Sequence, residues 1–227
     1  YANGKYLLIL NNDTIHEKNW ITPLLERMKK NENISSVQPK IKNYDDKNHF
    51  DHAGASGGFM DKYCFPFARG RIFNTIEKDE GQYDDPCQIF WASGTAFLTK
   101  KSIFDKIGGF DENLFAHMEE IDYHWKCQLL GYEVWVEPSS TIYHHGGKTL
   151  PPMSPKKTYF NYRNSLILLL TNHPLKISIK LFFPRMIMEL ISLIREIILL
   201  RWGHGLSIIK SWIWIISNPA FIVSRRK

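Results

Sequence analysis

The stretch KYLLIL, residues 5–10, places a short apolar run directly before the polar residues NNDT. Such a run is typical of a strand buried on both faces, because a parallel sheet covered by helices leaves neither face in water. The polar residues that follow indicate a loop. TPLLERMKK then carries Leu24, Leu25 and Met28 on one helical face, and SSVQPKI predicts a second strand, cut by Pro39. Strand, helix and strand in this order predict an α/β sheet flanked by helices.

The following part of the chain has no clear period. Residues 43–88 are rich in Gly, Asp and aromatic residues, which predicts a long structured loop with short edge strands. IFWASGTAFLTK has strand character on either side of Ser93-Gly94. A helix then follows the stretch FAHMEEIDYHW and ends at Gly131, and YEVWVEP and STIYHHGG predict two more short strands.

The pattern becomes helical from Tyr159 almost to the end of the chain. Between Leu181 and Trp202 the polar residues recur at spacings of three and four, so that they form one narrow stripe on an otherwise apolar helix. The stripe consists of Arg185, Glu189, Ser192 and Glu196. We therefore expect an α/β portion in residues 1–158 and an amphipathic helical region in residues 159–227.

Composition limits the possible classes of protein. A chain of 227 residues with 44% hydrophobic side chains can form one folded domain with an appendage and is not a disordered chain. The C-terminal region is rich in Lys and Arg and nearly free of acids, which indicates a local anionic partner rather than a globally basic protein. We expect this partner to be an anionic membrane surface and expect no nucleic acid. Cys64, Cys87 and Cys127 show no close pairing, which fits a reducing compartment and no metal cluster.

Asp13 follows the first predicted strand. A carboxylate there lies at the carboxyl edge of the sheet, where α/β proteins bind ligands, and it can hold a divalent cation that bridges two phosphates. The alternative is an Asn-Asn-Asp turn that only starts the next segment. Taken alone, this stretch favours the turn.

Three acids, Glu119, Glu120 and Asp122, crowd the start of the predicted helix. Acids in a first turn complement the helix dipole, which explains them without any chemistry. Carboxylates this close also repel one another, so one is drawn towards protonation and can act as a base beside a cleft. Taken alone, this pattern favours the structural explanation.

His144 and His145 end the last predicted strand. Imidazole and carboxylate ligands together suit Mn²⁺ or a similar ion. The alternative is one packed and one solvated ring beside a plain turn.

The three sites in this order resemble glycosyltransferase family 2, the inverting enzymes with the GT-A fold. The resemblance extends from the first residue to about Leu170 and is closest to the rhamnosyltransferase-like branch, which acts on cell-surface polysaccharide. It is carried by YLLILNNDT, RGRIF, DEGQYD, FWASGTAFL, GGFDENLFAHMEEIDYHWK, GYEVWVEPSSTIYHHGGKTL and KTYFNYRNSL. It implies that residues 1–158 are the C-terminal portion of a GT-A catalytic domain whose N-terminal nucleotide-binding portion is missing.

The resemblance also implies a role for each candidate residue. NNDT corresponds to the family's DxD motif, so Asn11 and Asp13 would bind metal and diphosphate, with Asp13 the direct ligand; Asn at position 11 departs from a strict acidic pair. His144 would be the second metal ligand, and Glu120 the catalytic base. The remaining implied residues are Ser93 and Gly94 as donor or acceptor contacts, and Glu119 and Asp122 in support.

The implied reaction transfers a sugar from a dTDP- or UDP-linked donor to a hydroxyl of a glycan or lipid-linked acceptor. A carboxylate takes the hydroxyl proton as the bond to the anomeric carbon forms. Mn²⁺ or Mg²⁺ stabilises the charge on the leaving diphosphate. Two alternatives stay open: a truncated, membrane-associated fragment without turnover, and a metal-dependent nucleotidyltransferase, which would need a second metal carboxylate and a basic residue near Asp13.

We expect the C-terminal region to be a peripheral anchor on the cytoplasmic face of the cell membrane. Its charged residues would be costly at mid-bilayer, so a helix lying in the interface fits better than a spanning one. Trp202, Trp212 and Trp214 would lie at headgroup depth. The cations expected to meet anionic lipid are Arg201, Lys210, Arg225, Arg226 and Lys227. The alternative is a helical hairpin packed on the catalytic domain or in a dimer.

Overall fold

The computed structural model describes residues 2–73, 75–146 and 154–226, so that Lys227 lies outside it. The chain divides into two compact units. The first comprises Tyr1–Met60, Pro66–Asp111 and Glu120–Lys148, and the second comprises Asp61–Phe65, Glu112–Glu119 and Thr149–Lys227. The expected division at residue 158 placed Asp61–Phe65 and Glu112–Glu119 in the first part, whereas their contacts group them with the second.

Strands and helices alternate in the first part of the chain, and helices alone follow. The strands are β1 (Tyr6–Leu10), β2 (Thr14–His16), β3 (Ile34–Asn43), β4 (Gly58–Met60), β5 (Pro66–Ala68), β6 (Arg71–Ile72), β7 (Thr75–Ile76), β8 (Cys87–Ile89), β9 (Ala96–Lys100) and β10 (Glu133–His144). The α-helices are α1 (Ile21–Lys30), α2 (Lys101–Ile107), α3 (Glu119–Leu129), α4 (Pro155–Thr171), α5 (Leu175–Ile198), α6 (Trp202–Ser217) and α7 (Pro219–Arg225).

A mixed six-stranded sheet forms the centre of the first unit. Its order is β1-β9-β3-β10-β2, with β8 also paired to β10. β3 and β10 run parallel, while the pairs β1–β9, β3–β9, β2–β10 and β8–β10 are antiparallel. The strands β4 to β7 form a separate antiparallel sheet within the stretch predicted as a structured loop. The predicted class, a mixed α/β sheet with helices, is confirmed.

The apolar face predicted for α1 packs into the core of this sheet. Leu24 and Met28 are buried against Val37 and Ile41 of β3 and Ile142 of β10. Burying side chains of this size stabilises the fold by about 1.5–3 kcal/mol each. The helix and the two central parallel strands therefore hold each other in place.

Three strand predictions need correction. β1 is the end strand of its sheet, so its side chains are only half-buried, and Leu10 is exposed. β3 runs through Pro39 instead of stopping there, because the β10 ladder shifts register between Glu137 and Thr141 opposite this residue. The segments predicted as two short strands form one strand instead, since β10 runs without a break from Glu133 to His144 and contains that shift.

The polar stripe of α5 faces the interior of the second unit. Arg185 is 1% exposed and Glu189 is fully buried, and the two side chains bond to each other. Most of the exposed residues of this helix are apolar, and they include Phe183, Ile187 and Ile191. The stripe is therefore not a solvated face, and the apolar face is the one that lies outward.

Within the described residues, a single helix long and apolar enough to cross a bilayer is not found. Helices α6 and α7 reach the required length and composition only as a pair, and the chain bends by 72° between them.

Candidate functional site

Asp13 and His144 are brought into contact by strand pairing. β2 pairs with the last residues of β10, and His144 lies opposite Thr14 in this register. Asp13, which directly precedes β2, therefore lies next to His144, and its Oδ1 is 3.2 Å from the imidazole Nε2. The hydroxyl of Thr14 donates to the carbonyl of Asn11, which closes the turn before Asp13. The NNDT segment is thus both a well-formed turn and half of a two-residue site.

A second carboxylate, Asp51, lies on the other side of the same imidazole. Its Oδ1 is 3.0 Å from His144 Nδ1 and also accepts a hydrogen bond from the backbone N–H of Ala53. Asp51 is 3% exposed. Sequence reasoning missed this residue, because it lies in the stretch without a period that was predicted as a loop.

The two carboxylates determine the charge of His144. Burial by itself lowers the pKa of the imidazole, but the hydrogen bonds and negative charges of Asp51 and Asp13 outweigh it, and the pKa lies above the usual 6.5. With Asp51 on Nδ1, the ring is held so that Nε2 faces Asp13. A carboxylate on the far nitrogen is the usual second partner of a metal-binding histidine, because it fixes the ring and raises its basicity.

Asp13 and His144 therefore have the chemistry of a metal site with two protein ligands. A carboxylate oxygen and an imidazole nitrogen suit Mn²⁺ or a similar ion. Within the described ranges, no group of three or more His, Cys, Asp or Glu side chains could hold such an ion. The remaining ligands would have to be water or the oxygens of a bound diphosphate. Asn11 is exposed beside this pair.

The three acids in the first turn of α3, Glu119, Glu120 and Asp122, each have different surroundings. Glu120 lies beside the WASG loop, and a methyl group added to Gly94 would be 3.9 Å from its Oε1. Burial raises the pKa of Glu119 above its usual value. Asp122 is 1% exposed and pairs with Lys126 at 2.7 Å. Of the three, Glu120 is thus the one that adjoins the loop predicted to contact donor and acceptor.

Ser93 is engaged inside the loop rather than directed outward. Its hydroxyl donates to the carbonyl of Ala53, and its backbone N–H donates to the side chain of Gln38. Gly54 lies so close that a methyl group there would be 2.4 Å from the Ser93 Cβ, and its φ of +101° also requires glycine. The predicted contact of Ser93 with a ligand stays a prediction.

A series of short contacts joins the two parts of the site within the first unit. Asp51 accepts from the N–H of Ala53, and the carbonyl of Ala53 accepts from Ser93, the neighbour of Gly94. His144 begins this series and Glu120 ends it. The Asp13–His144 pair and the candidate base are therefore connected through Asp51, Ala53 and Ser93.

His124 and Gln38 support this arrangement and were not anticipated. His124 is fully buried, which lowers its pKa to about 3, so the ring is neutral and its Nδ1 accepts from the N–H of Ala92. Gln38 donates to the carbonyls of Gly54 and Ala55. Both side chains hold backbone of the loops that carry site residues.

The turn before α3 has a strained backbone held from within the second unit. Phe115, His117 and Met118 have φ values of 60°, 65° and 75°, which are unfavourable for residues with a side chain. The buried Asn164 amide donates to the carbonyls of Leu114, Ala116 and His117. This side chain belongs to KTYFNYRNSL, and its bonds stabilise the strained turn.

The sequence family follows from comparison with known proteins. The family model described as "Glycosyl transferase family 2" matches residues 1–108. This part of the chain, just under half of its 227 residues, is thus similar to glycosyl transferase family 2. The match includes Asp13, Asp51 and Gly94, whereas Glu120 and His144 lie beyond it and enter the site through the contacts described above.

Two curated proteins show partial similarity to this chain. An "N-acetylglucosaminyl-diphospho-decaprenol L-rhamnosyltransferase" of Mycobacterium tuberculosis is 30% identical over 88 residues, which are 39% of this chain and 29% of the relative. A "dTDP-rhamnosyl transferase RfbF" of Shigella flexneri is 30% identical over 114 residues, which are 46% of this chain and 38% of the relative. The matched region thus spans well under half of each relative, and the predicted resemblance to rhamnosyltransferases is confirmed.

A solved structure of GalNAc-T7 with UDP, GalNAc and Mn²⁺ is also similar. It has a TM-score of 0.49 and 16% sequence identity, and the match covers 80% of this chain and 39% of that chain.

Proposed function

We propose that this chain carries the base and the metal ligands of an inverting glycosyltransferase of family 2. The observation that carries the proposal is the contact of Asp13 with His144, joined through Asp51, Ala53 and Ser93 to the loop beside Glu120. These residues come from distant parts of the sequence, and the fold gathers them within the first unit. If NNDT were only a turn and the acids only the start of a helix, these residues would not need to lie close together.

Glu120 is the base in this proposal. As the acceptor oxygen forms its bond to the anomeric carbon, the hydroxyl proton passes to the Glu120 carboxylate and the bond to the diphosphate oxygen breaks. Attack from the face opposite the leaving group inverts the anomeric carbon. Gly94 leaves open space beside the carboxylate, and a sugar hydroxyl can approach there.

Asp13 and His144 would hold the divalent cation, Mn²⁺ or Mg²⁺, while Asp51 orients the imidazole. When bound, such a cation stabilises the negative charge on the leaving diphosphate. His144 can bind a metal through Nε2 only when that nitrogen carries no proton, so metal binding at this site would weaken at low pH.

The donor proposed first is dTDP-rhamnose, and the acceptor is a hydroxyl of a glycan on a lipid diphosphate. Both proposals are supported by the partial similarity to the two rhamnosyltransferases named above. The reaction would be a step in the synthesis of a cell-surface polysaccharide.

The test is a transfer assay on the full-length gene product with dTDP-rhamnose, Mn²⁺ and a lipid-linked acceptor, with dTDP release and product configuration as readouts. Asp13→Ala and His144→Ala should each weaken Mn²⁺-dependent donor binding strongly. Asp51→Asn should weaken it about 10- to 100-fold, since it removes only the orienting partner. Transfer that continues unchanged in excess EDTA would contradict the metal role.

We also propose that the second unit rests on the cytoplasmic face of the membrane as a peripheral anchor. The outward face of α5 supports this, because Phe183, Ile187, Ile191 and Ile198 are each more than half exposed. A contiguous apolar face of this kind marks an interaction site. Residues 155–226 contain eleven Lys and Arg against two Glu, a charge balance that suits anionic lipid.

A further inference from the structure

The second unit contains a cavity of about 600 Å³. None of the residues that line it takes part in the reaction proposed above. It lies between the first turns of α4 and the length of α6. Lys156 and Tyr159 line it from α4, and Lys210, Ile213 and Trp214 line it from α6. Ser207, Ser217 and Asn218 add polar groups. The lining thus combines cations, hydroxyls and rings.

The charge of this cavity is positive. The lining contains two lysines and not one carboxylate. Within the described part of the chain, neither Lys156 nor Lys210 forms an ion pair; Lys156 Nζ lies 5.6 Å from the centre of the Phe115 ring. The two glutamates of residues 155–226, Glu189 and Glu196, are already paired with arginines. An anion is therefore the ligand that this cavity suits.

A buried arginine fixes the aromatic wall. The Arg163 guanidinium carbon is 5.5 Å from the centre of the Tyr159 ring and 5.1 Å from that of Trp214. Its nitrogens donate to the carbonyls of Asn113 and Leu114. Arg163 thus holds both rings, and backbone carbonyls hold Arg163, so the aromatic wall of the cavity is preorganised. The guanidinium also places a third positive charge behind this wall.

One side of the cavity continues into exposed apolar surface. Ile213 lines the cavity and is 56% exposed, and Ile209 and Ile216 on the same helix are also exposed. A free anion would make no use of these side chains. An amphiphile would, because its charged head could meet the lysines while its apolar tail leaves along α6.

We propose that this cavity binds the diphosphate of an isoprenoid lipid, with Lys156 and Lys210 as its cations and Ile213 and Ile216 beneath its tail. The inference rests on the proposed function, in which the acceptor sugar is carried on such a lipid. The cavity would hold the part of the acceptor that does not react.

The test is calorimetric titration of the 227-residue chain with farnesyl diphosphate in the presence of EDTA, so that metal-mediated binding at Asp13 and His144 makes no contribution. The double variant Lys156→Ala/Lys210→Ala should bind at least about tenfold more weakly. The matched control, Lys176→Ala/Lys180→Ala, removes the same charge from exposed positions of α5 outside the lining and should bind within about twofold of the original.

Two further ligands separate head from tail. Inorganic pyrophosphate lacks the tail and farnesol lacks the charge, so each should bind at least about tenfold more weakly than farnesyl diphosphate. The proposal is overturned if pyrophosphate binds as tightly as farnesyl diphosphate, or if the two double variants lose affinity equally. The titration contains no sugar donor and therefore measures binding alone. Binding of farnesyl diphosphate here, together with no sugar transfer in the separate transfer assay, would support this cavity and contradict only the proposed function.

Discussion

The side chain of Glu120 offers the sharpest test of the chemistry at the scale of one residue. Glu120→Gln keeps the size of the side chain but cannot take a proton, so transfer should fall about 10²- to 10⁴-fold. Binding of dTDP-rhamnose should survive, because a base for the acceptor is not needed to hold the donor. Initial rates and calorimetry on the full-length gene product measure the two effects separately.

Glu119→Gln is the matched control for this change. Gln keeps the size of the Glu119 side chain, and Glu120, not Glu119, is the acid that adjoins the WASG loop, so the variant should retain most of its transfer rate. Near-normal transfer by Glu120→Gln together with loss in Glu119→Gln or Asp122→Asn would show that another acid is the base.

His124 gives a prediction for the dependence of stability on pH. Burial lowers its pKa from 6.5 to about 3, so between these values the unfolded chain binds a proton that the folded chain does not. The free energy of unfolding should therefore fall as the pH falls through this window, by up to about 1.4 kcal/mol per pH unit.

His124→Gln removes this titration but keeps an oxygen that can accept from the N–H of Ala92. Urea unfolding at pH 7, 6 and 5 should show the original chain losing stability relative to the variant as the solution becomes more acidic. Parallel pH profiles of the two proteins would mean that His124 is not held neutral.

Some residues of the site could be predicted from the sequence, and others could not. Asp13 lies shortly after β1 and His144 ends β10, and such positions are visible in the local pattern. The pattern around Asp13 alone favoured a plain turn, and the resemblance to a known family implied the roles of both residues. Asp51 and Gln38 have no such pattern around them, and they reach the site only because the chain after β3 folds back. Their roles depend on tertiary contacts, which no window of sequence contains.

At the scale of the element, α5 carries a buried ion pair whose removal should be costly. Arg185 Nε is 2.7 Å from Glu189 Oε1, and its guanidinium also donates to the Ser165 hydroxyl. Glu189→Ala would leave a buried, unpaired cation and should lower the free energy of unfolding by about 3–5 kcal/mol. Replacing both residues by Met should cost less than this single change, as measured by denaturant unfolding.

The same helix provides the control. Arg195 and Glu196 form a pair in which the arginine is largely exposed, so Glu196→Ala should cost at most about 1 kcal/mol. A double Met variant less stable than Glu189→Ala would show that the buried pair stabilises the unit beyond compensating its own charges.

The period of α5 was readable from the sequence, but its orientation was not. A spacing of three and four residues shows which side chains share a face, as Arg185 and Glu189 do. It does not show whether that face meets water or protein, because a satisfied polar stripe inside a bundle and a solvated stripe have the same period. The partners of the stripe, Trp212 among them, lie on other helices.

At the scale of the whole molecule, the membrane proposal predicts co-flotation with phosphatidylglycerol vesicles. Changing Phe183, Ile187 and Ile191 to Asp should abolish flotation, because it places three charges on the outward apolar face of α5. Release of the original chain by 1 M NaCl, a concentration at which surface charges are screened within about 3 Å, would favour an interfacial position over a spanning one.

The control carries the same three charges elsewhere. Ile15, Ile72 and Phe73 are exposed apolar residues of the first unit, and their replacement by Asp should leave flotation unchanged. Equal flotation of both triple variants would show that the α5 face is not the anchor.

The start of the C-terminal helices was readable from the sequence, since the change of pattern near Tyr159 lies close to the start of α4 at Pro155. The interleaving of the two units was not. Asp61–Phe65 and Glu112–Glu119 are short segments without a period of their own, and only their contacts assign them to the second unit.

The pairing of β2 with β10 has a consequence for the newly made protein. It joins Asp13 to His144 across more than half of the chain, and contacts at such separations are the slow ones in folding, whereas helices form early. A copy that has not completed the sheet can therefore already have its C-terminal helices while Asp13 and His144 are still apart. Under the proposed function such an immature copy would not consume nucleotide sugar, and donor turnover would be confined to molecules that have finished folding.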